Sequence, residues 1–210
     1  MKIDIVSDVV CPWCIVGYRQ LQQALEQTGI EADIHWHPFE LNPDMPPEGE
    51  QLRDHVMRKY GSSAEDSDRN RQQLVAIGAE LGIEFNFSEE SHIRNTHDAH
   101  QLMHWAETKG LKNELKQSLF LAYFTEELDV SNHQVLIDRA ESVGLDREEA
   151  AAVLEDQRYA ETVRENERLW VSRGIQGVPA VILEEKYLLS GAQGVENFSA
   201  ALKQVEAESA

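Results

Sequence analysis

Cysteine is nearly absent from this chain, with two in 210 residues. So few exclude a disulfide-stapled scaffold and any four-thiolate zinc site. Basic residues are also scarce: 19 Lys and Arg stand against 38 Asp and Glu, a net charge of −19. Such acidity repels phosphate backbones and anionic lipid, so neither nucleic acid nor a membrane is expected as partner. Long hydrophobic runs are missing too, and nothing approaches the roughly 18 apolar residues of a spanning helix. Met1 is followed at once by a strand-like run, without a basic stretch and apolar leader. The expected compartment is therefore the cytoplasm, where a disulfide is transient and catalytic.

The two cysteines stand together as Cys11-Pro12-Trp13-Cys14. Lys2-Ile3-Asp4-Ile5-Val6 before them alternates and is β-branched, which predicts a strand. Val16, Leu21 and Leu25 behind them, with Gly29 as a stop, predict a helix. A C-x-x-C at a strand-to-helix junction reads as a redox pair. The helix N-terminus favours thiolate by up to about 2 kcal/mol, enough to bring a thiol from about 8.5 toward 7. Cys11 is expected to be the exposed nucleophile, with a pKa of about 6–7.5, and Cys14 the sheltered resolving thiol. Pro12 suits the first helical turn, where a missing N–H costs nothing. Two inert buried cysteines remain an alternative. So does half of a zinc site completed by His35 and His37, which share one face of the next strand. No metal is expected.

Further along, Glu31 to Phe39 alternates and predicts a second strand, parallel to the first across the helix. Pro43, Pro46, Pro47 and Gly49 then mark a loop leaving the sheet. From about Gln51 to Arg173 the periodicity is helical. Ser131 with Gln134, and Asp146 with Glu149, have capping-box spacing. Ala180-Val181-Ile182-Leu183 and Lys186 to Ser190, joined by Glu184-Glu185, predict an antiparallel hairpin. A helix carrying Val195, Phe198, Leu202 and Val205 closes the chain. The order is β-α-β, helices, then β-β-α.

On Ser7-Asp8-Val9-Val10-Cys11-Pro12-Trp13-Cys14, Pro38 to Pro43, Asn95-Thr96-x-x-Ala99-His100 and Gly177-Val178-Pro179, the chain resembles the DsbA-like oxidoreductases of the thioredoxin superfamily. Within them it looks like the FrnE-like branch of predicted dithiol–disulfide isomerases. The resemblance implies an α/β, thioredoxin-like fold with a large all-helical insertion between the second and third strands. The thioredoxin-like domain is expected over residues 1–48 and 175–210, the insertion over 49–174. It implies that Pro179 is a cis proline facing the cysteines, and that the Val178 backbone pairs with an extended substrate. It also implies that Asn95, Thr96 and His100 line a cleft beneath the insertion, which would act as a lid. Gln101 stands where many relatives carry a basic residue, which bears on substrate preference.

The function expected is a thiol–disulfide oxidoreductase or isomerase, with Cys11 and Cys14 catalytic and Pro12, Trp13, Val178 and Pro179 supporting them. Trp13 adds no charge beside the thiols, so an intermediate potential of about −180 to −270 mV is expected. No cofactor is expected beyond the redox disulfide, with glutathione a possible co-substrate. The partner is a protein or small-molecule thiol or disulfide. A rival on family grounds is a glutathione-dependent enzyme of the kappa-transferase or 2-hydroxychromene-2-carboxylate isomerase type, although these normally lack a second active-site cysteine. A second rival is a peptide-binding holdase.

Overall fold

The computed structural model describes residues 1–209. In chain order these run β1 (Lys2–Ser7), α1 (Pro12–Thr28), β2 (Asp33–Pro38), β3 (Glu50–Gln51), α2 (Leu52–Tyr60), α3 (Ala64–Glu80), β4 (His92–Ile93), α4 (His97–Glu107), α5 (Lys112–Phe124), α6 (His133–Ser142), α7 (Arg147–Asp156), α8 (Ala160–Ser172), β5 (Ala180–Leu183), β6 (Tyr187–Ser190) and α9 (Val195–Ser209). The chain divides into two compact units, Met1–Leu41 with Glu165 onward, and Asn42–Arg164. The end of α8 belongs with the first because Trp170 packs against Val6, Ala180 and Ile182.

The first unit is built on a sheet of order β2-β1-β5-β6. β1 and β2 are parallel, as a helical crossover requires, with Ile5 opposite Trp36. β5 runs antiparallel to β1, and β6 antiparallel to β5. Strand alternation sends Ile3, Ile5 and Trp36 to one face, where Tyr18 of α1 meets Trp36 at 4.8 Å between ring centroids. α1 also packs against α9, whose Phe198, Leu202 and Val205 are buried. Each such side chain contributes at most about 1.5–3 kcal/mol of burial. The opposite face holds Val6, Ala180 and Ile182 under Trp170 and Ile175. There Asp4, itself buried, bonds the ring of His37 at 2.7 Å, and His37 lies against Trp170. His35 bonds its neighbour Asp33 instead.

The second unit is helical apart from a two-stranded ribbon, β3 against β4. Two residues a side carry too little alternation to read from sequence. Asp146 accepts from the Glu149 N–H, as the spacing predicts. The other predicted cap shifts by one residue: Asn132, not Ser131, accepts from the N–H groups of Gln134 and Val135. Ser131 donates to Asp129, and Asn is as good a cap as Ser. No helix of the described residues is long and apolar enough to cross a membrane.

Candidate active site

β1 ends in a turn whose last residue, Cys11, is the N-cap of α1, with extended φ and ψ of −90° and 112°. Pro12 occupies the first helical position, and the Cys11 carbonyl accepts from the Cys14 N–H at 3.0 Å. Cys11 and Cys14 are thus one turn apart, and both are free thiols. Trp13 between them is 43% exposed.

The pair itself differs from the expectation. Cys11 is 3% exposed and Cys14 1%, so neither is an exposed thiol. The hydrogen bond with the Cys14 side chain pushes the Cys11 pKa well above the ordinary thiol range. Burial, the Cys14 charge and the carboxylate of Asp8 act in the same direction, and only the Cys14 backbone N–H opposes them. Burial and a nearby acid both act against the expected value of about 6–7.5, which counts only the field of the helix N-terminus. That acid is the residue sequence reasoning missed. Asp8 is fully buried, and its Oδ2 accepts from the Leu41 N–H at 2.8 Å, tying the turn to the segment after β2. Its sequence signal is a carboxylate between the end of β1 and Val9-Val10, just before the cysteine motif. Asp4, between Ile3 and Ile5, serves His37 instead.

The far end of the chain supplies the facing wall. α8 stops at Gly174, whose φ is +91° and whose place in the turn suits glycine. Ile175 is buried and anchors the following segment. The Val178–Pro179 peptide is cis, and the Cys11 thiol donates to the Val178 carbonyl at 3.7 Å. The Pro179 carbonyl accepts from the Gly191 N–H at 2.7 Å, extending the β5–β6 hairpin pairing. An open groove of about 300 Å³ runs along this segment, bordered by Gln176, Val178, Pro179, Leu188 and Ser190. Cys11, Pro12, Trp13, Cys14, Val178 and Pro179 therefore come together in the first unit.

Asn95, Thr96 and His100 belong to the second unit, at the start of α4. The Asn95 side-chain carbonyl accepts from the His97 N–H at 3.0 Å, and its amide donates to the Met45 carbonyl at 3.4 Å. Thr96 is the buried N-cap, without a side-chain cap bond, and His100 is buried one turn on. Gln101 is also buried, and its amide donates to Asp98 and Gln157 at 2.9 and 2.8 Å. Of the neighbouring histidines, His104 lies against Tyr159 at 4.8 Å.

A family model described as a DSBA-like thioredoxin domain matches residues 2–203. The structure of a probable DsbA oxidoreductase, SCO1869, from Streptomyces coelicolor is 32% identical, with a TM-score of 0.94 over 99% of this chain and 91% of that one. The cytosolic disulfide reductase DsbM from Pseudomonas aeruginosa, solved with GSH, is 17% identical. It shares the fold at a TM-score of 0.65, over 97% of this chain and 98% of its own. An uncharacterized Bacillus subtilis protein, YwbO, is 27% identical over 96% of both chains.

Proposed function

Because the chain belongs to the DSBA-like thioredoxin domain family, we propose that it is a thiol–disulfide oxidoreductase working through Cys11 and Cys14 in the reducing direction. The supporting observation is the pair itself: two free thiols one turn apart at a helix N-terminus, the first donating to the Val178 carbonyl. Cys11 is the attacking thiol because it is the N-cap at the tip of α1, whereas Cys14 lies one turn into the helix and is the more buried of the two. Its thiolate displaces one sulfur of a substrate disulfide, forming a Cys11–substrate bond and releasing one substrate thiolate. Cys14 then attacks Cys11, closing the Cys11–Cys14 disulfide and releasing the second thiolate. Two electrons pass to the substrate, and the two protons lost by the cysteines end on its thiols. Two equivalents of an external thiol such as glutathione, or one dithiol protein, restore the pair.

The reducing direction is supported by the surroundings of Cys11, a buried site beside the Asp8 carboxylate. A strong oxidant of this kind stabilises its reduced form as thiolate. Here burial and the Asp8 carboxylate work against that stabilisation at Cys11. The groove beside Val178 and the exposed Trp13 suit an extended polypeptide.

The test is a Cys14→Ser variant incubated with insulin, with Cys11→Ser as control. The proposal predicts a mixed disulfide that maps to Cys11, and none with the control. Glutathione-dependent isomerisation that survives Cys14→Ser with unchanged rate, or peptide binding without any exchange, would replace this reading with one of its rivals.

A further inference from the structure

Gly17 lies in the interior of α1, where glycine costs helix stability relative to alanine. Its backbone is helical, so no left-handed conformation explains it. Space does. A methyl group there would lie 3.2 Å from Cγ of Pro179, 3.5 Å from Cα of Ala192 and 3.7 Å from its Cβ. The first distance is tighter than ordinary van der Waals contact, so the neighbour would have to move.

Neither neighbour is loose. Pro179 is buried, and its carbonyl is held by the Gly191 N–H at 2.7 Å. Ala192 follows directly in the same loop. Two residues on, the Gly194 N–H donates to Oε1 of Gln20 at 2.9 Å. Gln20 is one turn beyond Gly17 on α1, so a single turn of this helix grips the loop at both ends. The N-cap of the same helix is Cys11, and the residue before Pro179 is Val178, whose carbonyl receives the Cys11 thiol. One rigid element therefore carries the thiol at its tip and the spacer for the facing wall six residues later.

We propose that Gly17 is a positioning residue: its missing side chain sets how closely the Val178–Pro179 segment approaches α1, and so holds the Val178 carbonyl on the Cys11 sulfur. The consequence for turnover rests on the thiol–disulfide reading above; the consequence for the Cys11 thiol does not. An S–H···O=C bond favours the protonated thiol, so displacing the carbonyl eases ionisation of Cys11.

The experiment is Gly17→Ala, made in the wild type and in a Pro179→Ala background that removes Cγ and the ring. Three quantities are read on each protein: the pH profile of Cys11 alkylation by peptide mapping, kcat and KM for insulin reduction, and the thermal melt. In the wild type, Gly17→Ala is expected to shift the Cys11 profile to lower pH and cut kcat by about tenfold, in line with the cost of sub-ångström misplacement at a reacting centre. In the Pro179→Ala background it is expected to change neither further. An unchanged Cys11 profile and kcat, with or without a moved melt, makes Gly17 a packing residue and overturns the proposal. So does an equal effect in both backgrounds. Should Gly17→Ala fail to fold, Gln20→Ala loosens the same loop without adding an atom; a profile identical to wild type then overturns it. A wild type inert toward insulin defeats the functional reading instead, while the alkylation arm still decides the role of Gly17.

Discussion

The Cys11 thiol donates to the Val178 carbonyl at 3.7 Å, a contact between residues 167 positions apart. It joins the two ends of the chain, and the hydrogen bonds of the hairpin and the turn after β1 converge on it. The Cys14 thiol, burial and Asp8 all act to keep the proton on that sulfur. The consequences below follow from this sheltered Cys11 thiol and its surroundings.

Asp8→Asn removes a buried negative charge while keeping an acceptor for the Leu41 N–H. The charge is one of the causes that raise the Cys11 pKa, so its loss should shift Cys11 alkylation to lower pH. Rates measured across pH on the reduced protein check this. A profile unmoved by the substitution, in a protein with an unchanged melt, would remove Asp8 from the site.

The raised Cys11 pKa also makes the stability of the reduced protein depend on pH. In the unfolded chain Cys11 ionises near its ordinary value of about 8.5, while in the fold it stays protonated to higher pH. Above that value the unfolded state binds fewer protons. The contribution is therefore fully present below about pH 8.5 and is lost as pH rises toward the folded pKa. Urea titrations of the reduced wild type and of Cys11→Ala should diverge most below pH 8 and converge as pH rises. Parallel curves from pH 7 to 10 would contradict the raised pKa.

Glu184 and Glu185 in the β5–β6 turn have φ of +50° and +56°. The turn closes with the Lys186 N–H donating to the Leu183 carbonyl at 3.0 Å, and left-handed conformation is costly for glutamate. Glu184 also accepts from the Lys2 N–H at 2.7 Å and should be kept. Among the described residues Glu185 pairs with the exposed Lys2 side chain, which is worth little. Glu185→Gly should therefore stabilise the protein by roughly 0.5–1 kcal/mol, read as a higher denaturation midpoint. A loss of stability would mean that the ion pair outweighs the backbone strain.

Much of this arrangement was legible in the residues. β1 and α1 announce themselves by period, and Pro12 and Gly29 mark the ends of α1. The β5–β6 hairpin could be read although its turn lacks the usual glycine, because the apolar runs on either side are so clear. The pairing of Cys11 with Cys14 was visible from spacing alone. Their burial was not, because it is set by tertiary packing, such as the approach of Val178 to Cys11 from 167 positions away. Asp8 was hidden for a similar reason: its partner Leu41 lies 33 residues away. The β3–β4 ribbon is set by tertiary contacts rather than by local pattern. The placement of Asn132 as cap shows that adjacent Ser and Asn compete, and one residue of register decides between them.

The most direct test is to equilibrate the protein with glutathione buffers and follow the Cys11–Cys14 pair by alkylation and mass. The predicted result is one reversible two-electron transition between dithiol and intramolecular disulfide, with a midpoint near the thioredoxin value of about −270 mV. Failure to form a Cys11–Cys14 disulfide at any ratio, or a midpoint near the strongly oxidising value of about −120 mV, would contradict it.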